Sequence, residues 1–354
     1  MNLVDASFVF QIGGIAAALT LLFGMPAVWL ARRLSMIDWP GRAKHKKHER
    51  PVPLAGGILI TAGILALSPF IGLWQNPTSL SILVGALVVM LFGAWDDRHG
   101  LPPRIKLVGQ IIAALIVMVT GLSVHFMARL APFGLNAAWL VWVDRLITLI
   151  WVVGITNAFN LIDSMDGLAI GTTGVALSFF LLASFDAQQV LLVRLSTLLL
   201  GICAGIYVYN VTPAIFFLGD SGAQMLGFLM ACLGVLYNPP DYPQASSWFI
   251  PILILGVPIF DTTLVVFSRL RRHKPIYEAE LSHTYHRLVA WGLDPRRAIA
   301  LMHLTGALLG CLAFVALVLP PWAANLVFGL VLLFGVLLII VFEKVKVYPD
   351  SLPK

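Results

Sequence analysis

Long apolar stretches separated by short polar loops are the dominant pattern of this sequence. Each stretch runs for roughly 18–25 residues, the length that an α-helix needs to cross the hydrocarbon core of a bilayer. Eleven such stretches can be counted, at residues 7–30, 54–74, 79–95, 105–121, 142–160, 167–185, 190–209, 219–236, 247–267, 298–318 and 322–342. The pattern predicts an all-α polytopic membrane protein with about eleven transmembrane helices, forming one membrane-embedded domain over residues 1–354.

Composition and charge agree with this prediction and orient the chain. Of the 354 residues, 59% are hydrophobic and 11% are charged, whereas soluble proteins are about half apolar and a quarter charged. Segments 31–53, 96–106, 268–297 and 343–354 hold 20 of the 23 Lys and Arg residues. Because basic loops stay on the cytoplasmic side, we expect the N-terminus outside and the C-terminus in the cytoplasm. The pI of about 9.4 therefore reflects topology, and no nucleic-acid partner is expected.

Acidic residues occur at the cytoplasmic ends of several predicted spans. They are Asp96, Asp97, Asp163, Asp166, Asp220 and Asp261. Ionisable groups at such depth are costly and are functional candidates by default. Gathered carboxylates raise each other's pKa, and a hard divalent cation relieves this repulsion through the oxygen ligands that it prefers. We therefore expect a Mg²⁺ site, with Mn²⁺ as an alternative.

Two segments supply further candidates for such a site. In residues 157–167, Asn157, Asn160, Asp163 and Asp166 recur every three residues, which places polar groups along one stripe of a helical turn before Gly167. In residues 210–222, the Gly-Asp-Ser-Gly turn around Asp220 suits an anion at a helix N-terminus, provided that Asp220 ligates a bridging metal.

The segment 268–297 contains a cationic group of side chains. His283, His286 and Arg287 stand at i, i+3 and i+4, so one helix face presents all three. A zinc site would need further Cys or His ligands, whereas Arg matches the oxygens of a diphosphate. A basic loop on anionic lipid stays an alternative for residues 269–274. Asp261 either pairs with a cationic site residue or packs as a structural acid.

The segment 38–57 is a basic loop that ends in Pro51-x-Pro53 and the pair Gly56-Gly57. Basic residues above a membrane interface attract anionic nucleotides or lipid headgroups, and His45 in this loop is a candidate substrate-binding residue.

Together these motifs resemble the polyprenyl-phosphate N-acetylhexosamine-1-phosphate transferases, glycosyltransferase family 4, from about residue 38 to 292. The elements that match, in order and spacing, are Pro51-x-Pro53 with Gly56-Gly57, Asp96-Asp97 with Lys106 and Gln110, Asn157 to Gly167, Asn210 to Gly227, and the His283–Arg287 cluster. The resemblance implies transfer of HexNAc-1-phosphate from a UDP-sugar to undecaprenyl phosphate at the cytoplasmic face of the bacterial inner membrane. It also allows a homodimer.

The resemblance further implies roles for individual residues. Asp220 resembles the principal magnesium ligand, which Asn160 assists. Asp96 or Asp97 resembles the acid that deprotonates or orients the polyprenyl phosphate, and Lys106 the lysine that contacts the diphosphate. Asn210 and Phe217 fall where the family binds the uracil ring, and His283, His286 and Arg287 where it holds diphosphate and sugar. Asp163 and Asp166 belong to the acidic motif that shapes the site and are candidate catalytic residues, and Asn157 of the same matched segment is a candidate substrate-binding residue.

One position departs from the family pattern. Tyr285 replaces the middle histidine of the usual His-x-His-His, which leaves open another UDP-sugar, such as a 6-deoxy-HexNAc or the MurNAc-pentapeptide. The three consecutive histidines of the peptidoglycan-type enzymes are absent, so GlcNAc is the leading expectation. A transporter is the alternative from another class, but its charges would lie near the midplane and within inverted repeats.

Overall fold

A computed structural model of the chain describes residues 5–40, 50–127, 136–240, 242–273, 275 and 282–345. These residues form fourteen helices and one pair of strands. The helices are α1 (Ala6–Arg33), α2 (Gly56–Leu67), α3 (Pro77–His99), α4 (Pro103–Val119), α5 (Ala137–Ile162), α6 (Leu168–Asp186), α7 (Val190–Asn210), α8 (Gly219–Leu236), α9 (Gln244–Ser247), α10 (Ile250–Ile254), α11 (Gly256–Arg271), α12 (Thr284–Ala290), α13 (Pro295–Val318) and α14 (Pro321–Phe342). The strands β1 (Ile37–Asp38) and β2 (Val52–Pro53) pair antiparallel.

The helical fold confirms the predicted class, with one small addition. The strands β1 and β2 are two residues long each, too short to show the two-residue alternation that identifies a strand in a sequence. They hold the two ends of the basic loop together in front of α2.

Eight of the described helices are long and apolar enough to cross a membrane, and the bent pair 245–254 and 256–271 makes nine if it counts as one span. The other two predicted spans fall on α2 and α4. With 12 residues, α2 is about 18 Å long, against about 30 Å for a bilayer core. The count of eleven spans is therefore not confirmed.

The distribution of apolar side chains fits a molecule surrounded by lipid. Helix α14 is strongly apolar, yet only 11% of an 18-residue stretch of it is buried inside the protein. Its exposed side chains include Leu333 and Phe334. Exposed apolar surface on this scale does not occur on soluble monomers, so these faces contact the bilayer.

Several helices begin at sequence signals for a helix start. Asn76 caps α3 by accepting hydrogen bonds from the backbone N–H groups of Thr78 and Ser79, and Pro77 follows it. Asp294 caps α13 in the same way, again followed by a proline. Such capping residues satisfy N–H groups that have no partner within the helix.

Helix α8 is the most buried of the candidate spans, with 72% of its residues inside the protein. Its first turn lies against α2 and α3 at positions where both have glycine. A Cβ atom on Gly93 would lie 2.5 Å from Cα of Ser221, and one on Gly57 would lie 2.5 Å from its Oγ. The two glycines therefore allow α2 and α3 to approach the backbone at the start of α8.

We expect Gly93→Ala to destabilise the protein. The added methyl group would meet backbone atoms of α8, which have no rotamer to relieve the overlap, and overpacking costs about 1–3 kcal/mol. The apparent melting temperature of the purified protein in detergent measures the effect. Gly154→Ala is the matched control, because that helical glycine has open space beyond its Cα. Equal melting temperatures for the two variants would contradict the packing argument.

Candidate active site

The ends of α3, α4 and α8 bring two acids and a lysine together. The Lys106 ammonium lies 2.6 Å from Oδ2 of Asp220 and 3.1 Å from Oδ2 of Asp96. The backbone N–H of Leu101 donates to the other oxygen of Asp96. One cation is therefore shared by carboxylates from two helices that are far apart in the sequence.

Asp97 caps the N-terminus of α8. Its Oδ1 accepts from the backbone N–H of Asp220 at 2.7 Å, and its Oδ2 accepts from the N–H and hydroxyl of Ser221 at 3.1 and 2.6 Å. The residue that precedes α8, Leu218, has no side-chain acceptor for these donors. A neighbouring helix thus supplies the capping carboxylate that the local sequence lacks.

Gly219 makes this contact possible. Its φ of +68° lies in the left-handed region, and a Cβ at this position would stand 2.7 Å from Oδ2 of Asp97. A larger residue would therefore be strained and would also push the carboxylate away.

A chain of side-chain amides continues from Asp220 into the bundle. Gln224 donates to Oδ2 of Asp220 at 3.3 Å, and Gln110 donates to Gln224 at 2.9 Å. Asn157 donates to Gln110 at 2.6 Å and to the carbonyl of Val153. The amide chain joins α8, α4 and α5 and fixes the side chains behind the acid.

The loop between α5 and α6 carries the other two predicted acids. Burial, together with the charges of Asp166 and Asp97, raises the pKa of Asp163 to about 7. Asp163 is therefore close enough to Asp97 and to Asp166 to sense both charges. Oδ2 of Asp166 accepts from the backbone N–H of Ala214 at 3.2 Å.

Asn210 and Phe217 lie next to this loop. Asn210 is buried, accepts from the N–H of Gly167 and donates to the carbonyl of Phe216, both at 3.1 Å. The backbone of Phe217 pairs with the segment before α2, donating to the carbonyl of Pro53 at 3.0 Å. Its side chain is half-buried. The Pro-x-Pro segment therefore positions the turn that leads into α8.

The histidine motif forms the start of α12. Nδ1 of His283 lies 2.8 Å from Oδ2 of Asp261, whose other oxygen accepts from the N–H of Thr284 at 2.7 Å. The ring of His286 packs edge-on against Tyr285, with centroids 5.2 Å apart. Burial raises the pKa of Tyr285 to about 12, and the charges of Asp294 and Asp166 contribute. This places α12 beside the acidic loop.

Arg287, the third residue of the motif, lies inside the protein. Its side chain is fully buried, and its guanidinium donates to the carbonyls of Ser282 and Phe342, to the hydroxyl of Ser268 and to Glu343. The structure therefore shows Arg287 bonded to protein groups, and a substrate contact at this residue stays a prediction.

The carboxylates fit a magnesium ion that also binds substrate. Asp96 and Asp220 already share one cation, and Mg²⁺ in phosphate-transfer sites is held by one or two carboxylates with waters and substrate phosphates. Within the described residues, no group of three or more His, Cys, Asp or Glu side chains is arranged to hold a metal. Asn160 is half-buried on the last turns of α5.

The geometry joins most of the predicted site residues into one region at one end of the bundle. Asp96, Asp97, Lys106 and Asp220 are in direct contact, and Asn157 reaches them through the amide chain. His45 lies outside the described residues. Two roles were open for Asp261: pairing with a cationic site residue, or packing as a structural acid. Its contact with His283 supports the first.

Sequence reasoning missed several members of the site. Gln110 belongs to a matched motif, but no role was predicted for it. No role was predicted for Gln224, Ser221 or Glu343 either. Gln224 stands one helical turn after Asp220, and this i, i+4 spacing was a signal that could have identified it.

Comparison with known proteins identifies clear relatives. The family model for glycosyl transferase family 4 matches residues 79–238. A probable undecaprenyl-phosphate N-acetylglucosaminyl 1-phosphate transferase of Bacillus subtilis (strain 168) is 33% identical over 90% of this chain and 88% of its own length. The undecaprenyl-phosphate alpha-N-acetylglucosaminyl 1-phosphate transferase of Escherichia coli O157:H7 is 27% identical over 89% and 87%. A phospho-N-acetylmuramoyl-pentapeptide-transferase of Lacticaseibacillus paracasei is 31% identical over 66% and 73%.

We expect Asp163 to make stability depend on pH. Because its pKa of about 7 exceeds that of an aspartate in an unfolded chain, the folded state keeps a proton that the unfolded state releases. Its contribution to stability therefore falls as the pH rises from about 4 to 7. In EDTA, Asp163→Asn should gain stability relative to the wild type between pH 5.5 and 8, as measured by melting temperature.

Asp5→Asn is the control for this measurement. Asp5 accepts a hydrogen bond from the N–H of Phe8 that lowers its pKa, so it stays ionised at both pH values and its effect should be constant. A constant difference for Asp163→Asn as well would contradict the assignment.

Proposed function

The chain belongs to the polyprenyl-phosphate N-acetylhexosamine-1-phosphate transferases of glycosyl transferase family 4, and on this premise we propose its reaction. It transfers GlcNAc-1-phosphate from UDP-GlcNAc to undecaprenyl phosphate. The products are UMP and undecaprenyl-diphosphate-GlcNAc, the first lipid-linked intermediate of a cell-envelope glycan. The identity to the Bacillus subtilis relative over most of both chains supports this proposal.

The single observation that carries the proposal is the group of Asp96, Lys106 and Asp220 at the ends of three apolar helices. Lys106 is a cation shared by two carboxylates, and one of them, Asp220, lies at the N-terminus of α8. A membrane-embedded protein with such a group can hold the phosphates of a lipid and of a nucleotide at once. A transporter has no need for such a group at one end of the bundle.

In the proposed reaction, a phosphate oxygen of the lipid attacks the sugar-bearing phosphorus of the UDP-sugar. A P–O bond forms between the two phosphates, and the P–O bond to UMP breaks. The protein supplies no covalent intermediate, so positioning and charge neutralisation account for the catalysis. Lys106 neutralises the diphosphate, and the histidines of α12 hold its sugar side.

Asp96 and Asp97 divide two tasks in this proposal. Both oxygens of Asp97 already accept hydrogen bonds from the first turn of α8, so Asp97 positions Asp220. Asp96 has an oxygen directed at Lys106, and we assign it the task of taking the proton of the lipid phosphate or orienting that phosphate.

Asp220 and Asp96, with Asn160, would hold a Mg²⁺ ion. When bound, the ion neutralises the charge that develops on the UMP phosphate. This assignment rests on the donor set, two carboxylates and an amide oxygen, which is of the kind that Mg²⁺ prefers.

We also propose the placement of the protein in the bacterial inner membrane, with the site on the cytoplasmic side. The 20 of 23 basic residues in four segments support this orientation. Eleven spans follow if α2 and α4 cross the bilayer in addition to the nine long candidates. An odd number would put the two termini on opposite sides of the membrane, and the basic segments favour the N-terminus outside and the C-terminus inside.

The reaction is tested by incubating the purified protein with undecaprenyl phosphate, Mg²⁺ and UDP-GlcNAc and measuring UMP. We expect UMP release that EDTA abolishes, with a lipid-linked sugar as the second product. Turnover only with UDP-MurNAc-pentapeptide or a UDP-6-deoxy-HexNAc would retain the reaction and change the sugar. Absence of UMP with every UDP-sugar, from folded protein, would refute the proposal.

Lys106→Met should lower the rate by about 100-fold or more, since removal of one charge-stabilising donor costs roughly this much. In this variant, Asp96 and Asp220 lose the cation that they share. Arg104→Met is the matched control, because Arg104 is an exposed cation on the same helix and should leave UMP release unchanged. Equal losses for both variants would indicate a general charge effect and contradict the assignment of Lys106.

A further inference from the structure

Arg287 links the histidine motif to the end of the chain's last described helix. Its side chain has no exposed surface. Four hydrogen bonds hold the guanidinium, to the carbonyls of Ser282 and Phe342, the Ser268 hydroxyl and Oε1 of Glu343. Since arginine has five N–H donors, most of its capacity is committed to the protein.

These partners lie at the ends of two long helices. Ser268 is in the last turn of α11, while Phe342 and Glu343 end α14. The last carbonyls of a helix lack partners within it, and a cation is favourable there. The carbonyl of Phe342 accepts from Arg287 in addition to the N–H of Val345, so Arg287 fixes α12 to the C-terminal end of α14.

Glu343 completes this contact from the other side. Its Oε1 lies 2.7 Å from Arg287 and its Oε2 lies 2.8 Å from Nε of Arg271. Burial raises the pKa of Glu343, but the Ser268 hydroxyl and the charges of Arg287 and Arg271 outweigh burial and lower the pKa below its usual value. The carboxylate is therefore ionised and bridges two arginines.

The consequence for the site follows from the length of α12. This helix has seven residues, which is too short to be stable by itself in water. Asp261 holds its N-cap residue His283 and its first residue Thr284. Arg287 is the next anchor, directly after His286, so α12 and its two histidines lie between the contact to Asp261 and the contact to Glu343.

We propose that Glu343 is a positioning residue for the transfer reaction, which acts through Arg287 to hold His283 and His286 in place. Arg287 then serves as an internal anchor instead of a ligand of the diphosphate. The kinetic part of this inference rests on the proposed function, and its structural part does not.

A double-mutant cycle on UMP release tests the proposal. We expect Glu343→Ala and Arg287→Lys each to lower kcat at least tenfold and to leave KM for UDP-GlcNAc within about twofold. Lysine cannot reproduce the fork of donors, so the double variant should be no slower than either single variant. Glu343→Gln keeps an acceptor oxygen and should fall between Glu343→Ala and the wild type.

Lys344→Gln is the matched control, because Lys344 is the exposed neighbour of Glu343 and should leave kcat unchanged. A rise of KM in Arg287→Lys alone, or additive losses in the double variant, would show that Arg287 binds the diphosphate directly and would overturn the proposal. Lower melting temperatures with an unchanged kcat would show a merely structural contact and would also overturn it.

Hydrogen exchange separates this proposal from the proposed function. In Glu343→Gln, the amides of residues 284–290 should exchange faster while those of α8 stay as in the wild type. This readout needs no turnover, so it holds even if no UDP-sugar is a substrate. Unchanged exchange in α12 would overturn the structural part of the inference.

Discussion

The capping of α8 by Asp97 is the interaction on which the site depends. A helix that begins inside an apolar bundle has N–H groups that water cannot reach, and leaving them without acceptors is costly. Asp97 accepts from the N–H groups of Asp220 and Ser221, which fixes the backbone of Asp220 within the capped turn. The glycines at positions 57, 93 and 219 are required because the capping carboxylate and two helices converge on the same few atoms.

Aspartates accept hydrogen bonds from backbone N–H groups of other segments at two further places, one in the site and one away from it. Asp261 of α11 accepts from the backbone of Thr284 at the start of α12, and Asp144 of α5 accepts from the N–H of Met127. Each acid lies in one helix and satisfies backbone donors of another segment. Buried aspartates thus explain how separate segments keep a fixed position in a bundle whose outer surface contacts fluid lipid.

Much of this arrangement could be predicted from the sequence, because apolar length and charge at helix ends are local properties. Asp96, Asp97 and Asp220 were predicted to meet, and they do. The position of the Arg287 guanidinium could not be predicted: the i, i+3, i+4 spacing places three Cβ atoms on one face, but a long side chain can turn to partners 55 residues away. The number of spans was uncertain for a related reason, since α2 ends after 12 residues although the apolar sequence continues.

The amide chain behind Asp220 shows how one acid orders its surroundings. Oδ2 of Asp220 accepts a hydrogen bond from Gln224, so the NH₂ group of Gln224 faces the acid. The oxygen of Gln224 then faces Gln110, whose own oxygen accepts from Asn157. Three amides from three helices therefore have one orientation each, set by a chain of hydrogen bonds that starts at Asp220. Because these dipoles are already aligned in the folded protein, they need no reorganisation when phosphate charge enters the site.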